Sequence, residues 1–296
     1  MSKIQDALRK MQSLSPSVPA VDRQGPSEAP EPIGKVVNDV DATGVWLKID
    51  DARLIAVDRD KLRQSGYLPP VKQERHVAEQ YRILKRPLID NASGRGAAMG
   101  DDANLVMVTS ALPGDGKTFN CINLALSMAV EKDISVLLVD ADVAKPHISQ
   151  LFGVDDQPGL IESLKSRSVK IDRLVMRTDI PGLRILPAGC HEEHATELLA
   201  SKRMGTVISE LSKTYSDRIV IFDSPPMLVT SEARVLASHM GQIAMIVCAG
   251  KTPQQAVQEA IENLDETKAI SLILNQSASG QGVGGYGAYG TYGIYQ

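Results

Sequence analysis

The stretch from Leu105 to Glu131 constrains the fold of this chain more than any other. It opens with LVMVTS, an unbroken apolar run of strand length. It turns through ALPGDGKT and continues as FNCINLALSMAVE, an apolar stretch of helix length. A strand without polar alternation is covered on both faces, which places it inside a sheet flanked by helices. The same unit then recurs. VLLVDAD, LRILPAG, RIVIFDSPP, IAMIVCAG and AISLILNQ are five further apolar runs, with helical stretches such as ATELLASKRMGTVISELSKTY between them. Such alternation predicts an α/β fold: a mostly parallel, doubly wound sheet with helices on both faces.

The turn itself predicts chemistry. Ala111-Leu112-Pro113-Gly114-Asp115-Gly116-Lys117-Thr118 follows the phosphate-binding loop G-x-x-x-x-G-K-[ST], with alanine in place of the first glycine. Gly114 and Gly116, with Asp115 between them, let backbone N–H groups turn inward around an anion, and the helix that follows points its positive end at it. Lys117 reaches the terminal phosphates of a nucleotide, and the Thr118 hydroxyl is a ligand for Mg²⁺. The loop stands between a strand and a helix, the context that such a loop requires.

Two other strand ends carry carboxylates. VLLVDADVAKP places Asp140 and Asp142 at the end of one buried run, and IVIFDSPP places Asp223 at the end of another. Ligands of open α/β sheets sit outside the carboxyl ends of the strands. Three carboxylates beside a phosphate loop can hold Mg²⁺ with its waters and accept a proton from an attacking hydroxyl.

The last residues read GQGVGGYGAYGTYGIYQ. Four of the seven tyrosines, Tyr286, Tyr289, Tyr292 and Tyr295, recur there every third residue. So glycine-rich a tail buries too little surface to offset the entropy of ordering it. It is read as a flexible arm that offers interchangeable acceptors to an active site, rather than as a sticky low-complexity segment. At the other end, MSKIQDALRKMQSL has Ile4, Leu8 and Met11 at helical spacing. It is either a helix docked on its own domain or a docking helix for a partner. Residues 15–34 are rich in Pro, Ser and Glu and read as a disordered linker. Residues 35–70, around the sole tryptophan Trp46, carry mixed signals, and a helix is predicted over 72–85. The expected organisation is an N-terminal helix (1–14), a linker and ill-defined segment (15–70), the phosphate-loop domain (71–278) and the tail (279–296).

With a formal net charge of −4, nothing in the balance points to nucleic acid. Cys121, Cys190 and Cys248 are far apart, without metal-like spacing, and His191 and His194 lack partners for a metal. No leader opens the sequence and no apolar run reaches membrane-spanning length. A cytoplasmic protein is expected, peripheral to the inner membrane through a partner.

Taken together, SALPGDGKT, VLLVDADVAKP and IVIFDSPP resemble the Walker A, Walker A′ and Walker B motifs of the bacterial tyrosine kinases. These are P-loop proteins of the MinD/ParA-like class. ILPAG followed by ELLAS, and the tyrosine-rich tail, are similar to that family too. In EQYRILK, residues Glu79, Arg82 and Lys85 fit its E-x-x-R-x-x-R oligomerisation motif. The resemblance covers roughly residues 75–296, and the start of the chain is most like the stand-alone autokinases of exosortase-type exopolysaccharide systems. It implies an ATP- and Mg²⁺-dependent protein-tyrosine kinase. Lys117, Asp140 and Asp142 would be catalytic, and Thr118, Asp140, Asp142 and Asp223 would hold the metal. Asn275 would meet the adenine, and the tail tyrosines would be autophosphorylated in trans within a ring-like homo-oligomer. A membrane-embedded chain-length regulator of a polysaccharide export system is the implied partner.

Three departures stand out. VAKP follows the Walker A′ aspartates where arginines are usual, leaving Lys145. Lys85 replaces an arginine and its bidentate geometry. CHEEHAT follows PAG where a Pro/Asn-rich stretch is usual. Two alternatives stay open. One is a MinD/ParA-like positioning ATPase, against which stand the tail and Leu112 at the position of that group's signature lysine. The other is a nucleotide-dependent scaffold without significant kinase activity.

Overall fold

The computed structural model describes residues 54–96, 102–265 and 267–277. The expected N-terminal helix, the linker with Trp46 and the tyrosine tail lie outside the described residues.

Eight strands among the described residues form one sheet. They are β1 (Leu54–Ile55), β2 (Leu105–Ser110), β3 (Val136–Asp140), β4 (Met176–Thr178), β5 (Leu183–Leu186), β6 (Ile219–Asp223), β7 (Gln242–Cys248) and β8 (Ala269–Asn275). Their spatial order is β1-β4-β5-β3-β6-β2-β7-β8. Every neighbouring pair is parallel except β4–β5. The six apolar runs are all strands. β1 and β4 are additions, two and three residues long, too short to show a period in the sequence.

The helices are α1 (Arg59–Gln64), α2 (Glu74–Ala92), α3 (Lys117–Ala129), α4 (His147–Leu151), α5 (Leu160–Lys165), α6 (Ala195–Leu199), α7 (Lys202–Thr214), α8 (Ser231–Ser238) and α9 (Gln254–Glu262). The pleat of β2 divides the core. Val106 and Val108 face Cys121, Ile122 and Ala125 of α3 and Tyr81 and Leu88 of α2. Leu105 and Met107 face the other layer, with Leu160 of α5 and Val207 and Leu211 of α7. α7 shows why that layer forms. Met204, Val207, Ile208 and Leu211 are its buried apolar residues, the spacing of one helical face. Burial of each stabilises the fold by about 1.5–3 kcal/mol. The long helical stretch around it is interrupted at Ala200–Ser201, so α6 and α7 are separate helices.

Residues 54–70 belong to the fold. β1 pairs with β4, and Ile55, Val57 and Leu62 lie in the α2–α3 layer of the core. α2 also runs on past Lys85 through Pro87. No helix among the described residues is long and apolar enough to cross a membrane.

Candidate active site

The sheet brings the chemistry together at the carboxyl ends of its strands. The loop after β2 and the carboxyl ends of β3, β6 and β8 converge there. Gly114 and Gly116 have φ of 84° and 94°, a region that glycine enters without strain. Gly116 is the left-handed cap from which α3 starts. Ala111 is fully buried and keeps a negative φ. Alanine therefore serves at that position because the backbone there needs no left-handed turn.

The loop is braced from three sides. Ser110 Oγ donates to Leu112 O at 2.6 Å. Asn275 Nδ2, at the end of β8, donates to Asp115 O at 2.8 Å, and a Cβ on Gly116 would lie 2.2 Å from that nitrogen. Asp115 is buried, and its Oδ1 accepts from Thr252 Oγ1 at 2.7 Å, while Thr252 Oγ1 accepts from Cys248 N. The turn after β7 is thereby fastened to the loop. It also sets Lys251 Nζ 3.4 Å from the point a Cβ on Gly114 would occupy.

The three sequence-predicted aspartates stand together. Asp140 and Asp223 are Cα partners at the ends of β3 and β6. Thr118 Oγ1, in the first turn of α3, donates to Asp223 Oδ2 at 2.8 Å. Asp140 Oδ2 accepts from both N and Oγ of Ser149, at 2.8 and 2.7 Å. The other oxygens, Asp140 Oδ1 and Asp223 Oδ1, are buried without a hydrogen-bond partner. Burial pushes Asp140 up to about 7 against the opposing Ser149 hydrogen bonds. Burial, then the charge of Asp140, pushes Asp223 up to about 8. Asp142 is partly exposed on the following loop. Its pKa too is raised by burial, with Lys117 as the largest opposing influence.

Unpartnered buried carboxylate oxygens mark places where a cation belongs. Among the described residues, no three His, Cys, Asp or Glu side chains form a metal cage of their own. Mg²⁺ fits that pattern, because it retains waters and takes one or two protein ligands together with phosphate oxygens. Thr118 Oγ1 and the ends of β3 and β6 bring their oxygens to that place, with Asp142 on the loop beyond.

The other sequence-predicted residues are placed differently. Glu79 and Arg82 project from α2 and pair with each other, Arg82 Nη2 to Glu79 Oε2 at 2.6 Å. Lys85 does not share their surface. It is 2% exposed, donates to Ser127 O at 2.6 Å and pairs with Glu131 at 2.8 Å. It lies one turn beyond Arg82, where α2 packs on α3, and its long side chain reaches the carboxyl end of α3, where a cation is favoured. Asn275 has part of its amide committed to the loop and accepts from Gln276 N. Of Cys121, Cys190 and Cys248, all free thiols, only Cys190 is exposed. Ser149, Thr252, Asn120 and Lys251 complete the surroundings of the site. No motif announces them: Lys251 and Thr252 come on the turn after β7, Ser149 on α4, and Asn120 two residues past Thr118 on α3.

A phosphate loop at a helix start, with acidic strand ends around it on a mostly parallel sheet, defines a P-loop NTPase. Residues 104–272, more than half of the chain, match the model of the AAA domain family AAA_31. The tyrosine-protein kinase YwqD of Bacillus subtilis is 31% identical over 200 residues, 67% of this chain and 80% of YwqD. The tyrosine-protein kinase Wzc of Salmonella typhimurium is 29% identical over 221 residues, 75% of this chain. Among solved structures, the VpsO kinase domain superposes with a TM-score of 0.58 at 29% identity, covering 70% of this chain and 98% of that one. The chain belongs to the bacterial tyrosine kinases. It spans most of YwqD but only 29% of Wzc and 26% of EpsB of Ralstonia nicotianae.

Proposed function

We propose that this protein is an ATP-dependent protein-tyrosine autokinase that phosphorylates Tyr286, Tyr289, Tyr292 and Tyr295 in trans within a homo-oligomer. The observation that carries the reading is the pairing of Asp140 and Asp223 beside Thr118 and the phosphate loop. ATP lies in the loop, with Lys117 and the backbone N–H groups on its phosphates. Asn275 has an amide hydrogen left to offer the adenine. When bound, Mg²⁺ neutralises phosphate charge at Thr118 and the three aspartates.

A phenol with pKa near 10 is a poor nucleophile while protonated. The tyrosine oxygen attacks the γ-phosphorus as the bond to the β–γ bridging oxygen breaks, ADP leaves, and the phenolic proton passes to Asp140. A carboxylate raised to about 7 suits a base working near neutrality. Lys117 and the loop stabilise the charge that spreads over the γ-phosphoryl oxygens. The exposed Glu79 and Arg82 exchange their mutual contact for contacts with a neighbouring copy, and this closes a ring. Each phosphate adds about −1.5 to −2 charge, so an accumulating tail repels the acidic site and loosens the assembly. The family resemblance extends this to control of exopolysaccharide export, with a membrane-embedded regulator as activator.

Intact-mass measurement after incubation with Mg-ATP tests the reading. The wild type should gain several phosphates, and Lys117→Met and the fourfold Tyr286/289/292/295→Phe variant should gain none. ATP hydrolysis without any gain in mass would instead favour the positioning ATPase.

A further inference from the structure

Helix α2 touches the phosphate loop through a two-step hydrogen-bond chain. Tyr81 lies between Glu79 and Arg82 in sequence but points inward and is 5% exposed. Its hydroxyl donates to Asn120 Oδ1 at 2.8 Å. Asn120 Nδ2 in turn donates to Gly116 O at 2.9 Å, beside the backbone bond from Asn120 N to the same carbonyl at 3.0 Å. Asn120 itself is 4% exposed. Gly116 is the residue whose left-handed turn starts α3 and aims Lys117 and Thr118.

We propose that Tyr81 is a positioning residue for nucleotide binding, holding the Gly116 turn of the phosphate loop through the Asn120 amide. The chemistry of an amide explains why the hydroxyl matters. Asn120 has an oxygen end and a nitrogen end of nearly equal size. With the oxygen held by Tyr81, the nitrogen faces the Gly116 carbonyl. Without the hydroxyl, that oxygen is buried with no donor, and the amide turns to find one. The carbonyl then keeps only its backbone donor, Asn120 N, and its hold on the turn is weaker. A partner seated on Glu79 and Arg82 presses on the same helix and bears on the loop through this link.

The inference rests on the reading of the loop as a nucleotide site, and the test separates the two. Binding of a fluorescent ADP analogue with Mg²⁺ is measured on the full chain. The proteins compared are wild type, Tyr81→Phe, Asn120→Ala and the double variant. Val77→Ala, which thins the packing of α2 without touching the chain of bonds, is the control. We expect Tyr81→Phe and Asn120→Ala each to weaken binding about tenfold. In the Asn120→Ala background the Tyr81 change should cost less than about twofold, because the coupled pair is already broken. Val77→Ala should lower the melting temperature and leave affinity unchanged. Wild-type affinity in both single variants, or equal losses that add in the double variant, overturns the role of Tyr81. A wild type that binds no analogue overturns the nucleotide site itself.

Discussion

Asp140 and Asp223 stand opposite each other at the ends of adjacent parallel strands, and each keeps one carboxylate oxygen buried without a partner. Two buried acids in contact range resist ionising together. The protein therefore holds at these strand ends a repulsion that a bound cation would relieve.

That repulsion gives a pH dependence. Both acids have folded pKa values, about 7 and about 8, above the ordinary 3.8. Between the unfolded and folded values the folded chain binds more protons, so stability falls as pH rises. Their contribution is fully present below about pH 4 and is lost through pH 7 to 8. In EDTA, without nucleotide, urea unfolding should give a stability lower by about 2–5 kcal/mol at pH 8.5 than at pH 5.5. Asp223→Asn should flatten the difference and raise stability at pH 8.5. An unchanged slope in that variant would assign the effect elsewhere.

The two Walker A′ aspartates should separate kinetically. Asp140 is wholly buried and tied to Ser149, while Asp142 is partly exposed near Lys117. With Asp140 as the proton acceptor, Asp140→Asn should reduce tyrosine phosphorylation about 10²–10⁴-fold, the usual worth of a general base. ADP binding should change far less. Asp142→Asn should act more on magnesium-dependent affinity. A larger loss of transfer rate at Asp142 would reverse the assignment.

Gly116 tolerates no side chain. Its φ is 94°, and a Cβ would lie 2.2 Å from Asn275 Nδ2. Gly116→Ala should destabilise the protein by about 1–3 kcal/mol through backbone strain and abolish nucleotide binding. Restoration of binding by Gly116→Ala with Asn275→Ala would show that collision, rather than backbone strain, is the obstacle.

Residues of the α2 motif should divide into two classes. Lys85→Met leaves Glu131 and the Ser127 carbonyl without their buried cation and should cost about 2–4 kcal/mol in thermal or chemical unfolding. Glu79→Ala with Arg82→Ala removes an exposed pair worth about 0.3–0.5 kcal/mol. It should leave monomer stability nearly intact while shifting the oligomer distribution in sedimentation velocity. A stable, fully assembled double variant would place the interface elsewhere.

Much of this was legible in the order of residues alone. The six apolar runs are the strands from β2 to β8 with β4 excepted, because hydrophobic continuity depends on nothing beyond the chain's own composition. Gly114, Gly116, Lys117 and Thr118 were legible for the same reason. They act within a single turn, and a turn is a local object. Asp140 and Asp223 were visible as strand ends, and strand order then made them neighbours.

Tertiary structure decided the rest, since those features depend on what a residue meets across the sheet. β1 exists only because β4 offers it an edge, and two residues cannot carry a period by themselves. Lys85 lies three residues beyond Arg82 and looks equivalent in sequence, but the packing of α2 on α3 buries one and exposes the other. Asn275 serves the loop because β8 ends beside it, and Tyr81 because α2 crosses the start of α3. The sequence by itself determined which groups can do the chemistry. Only the fold determined which distant groups hold them in place, because hydrogen bonds and burial act over a few ångströms in space, whatever the separation along the chain.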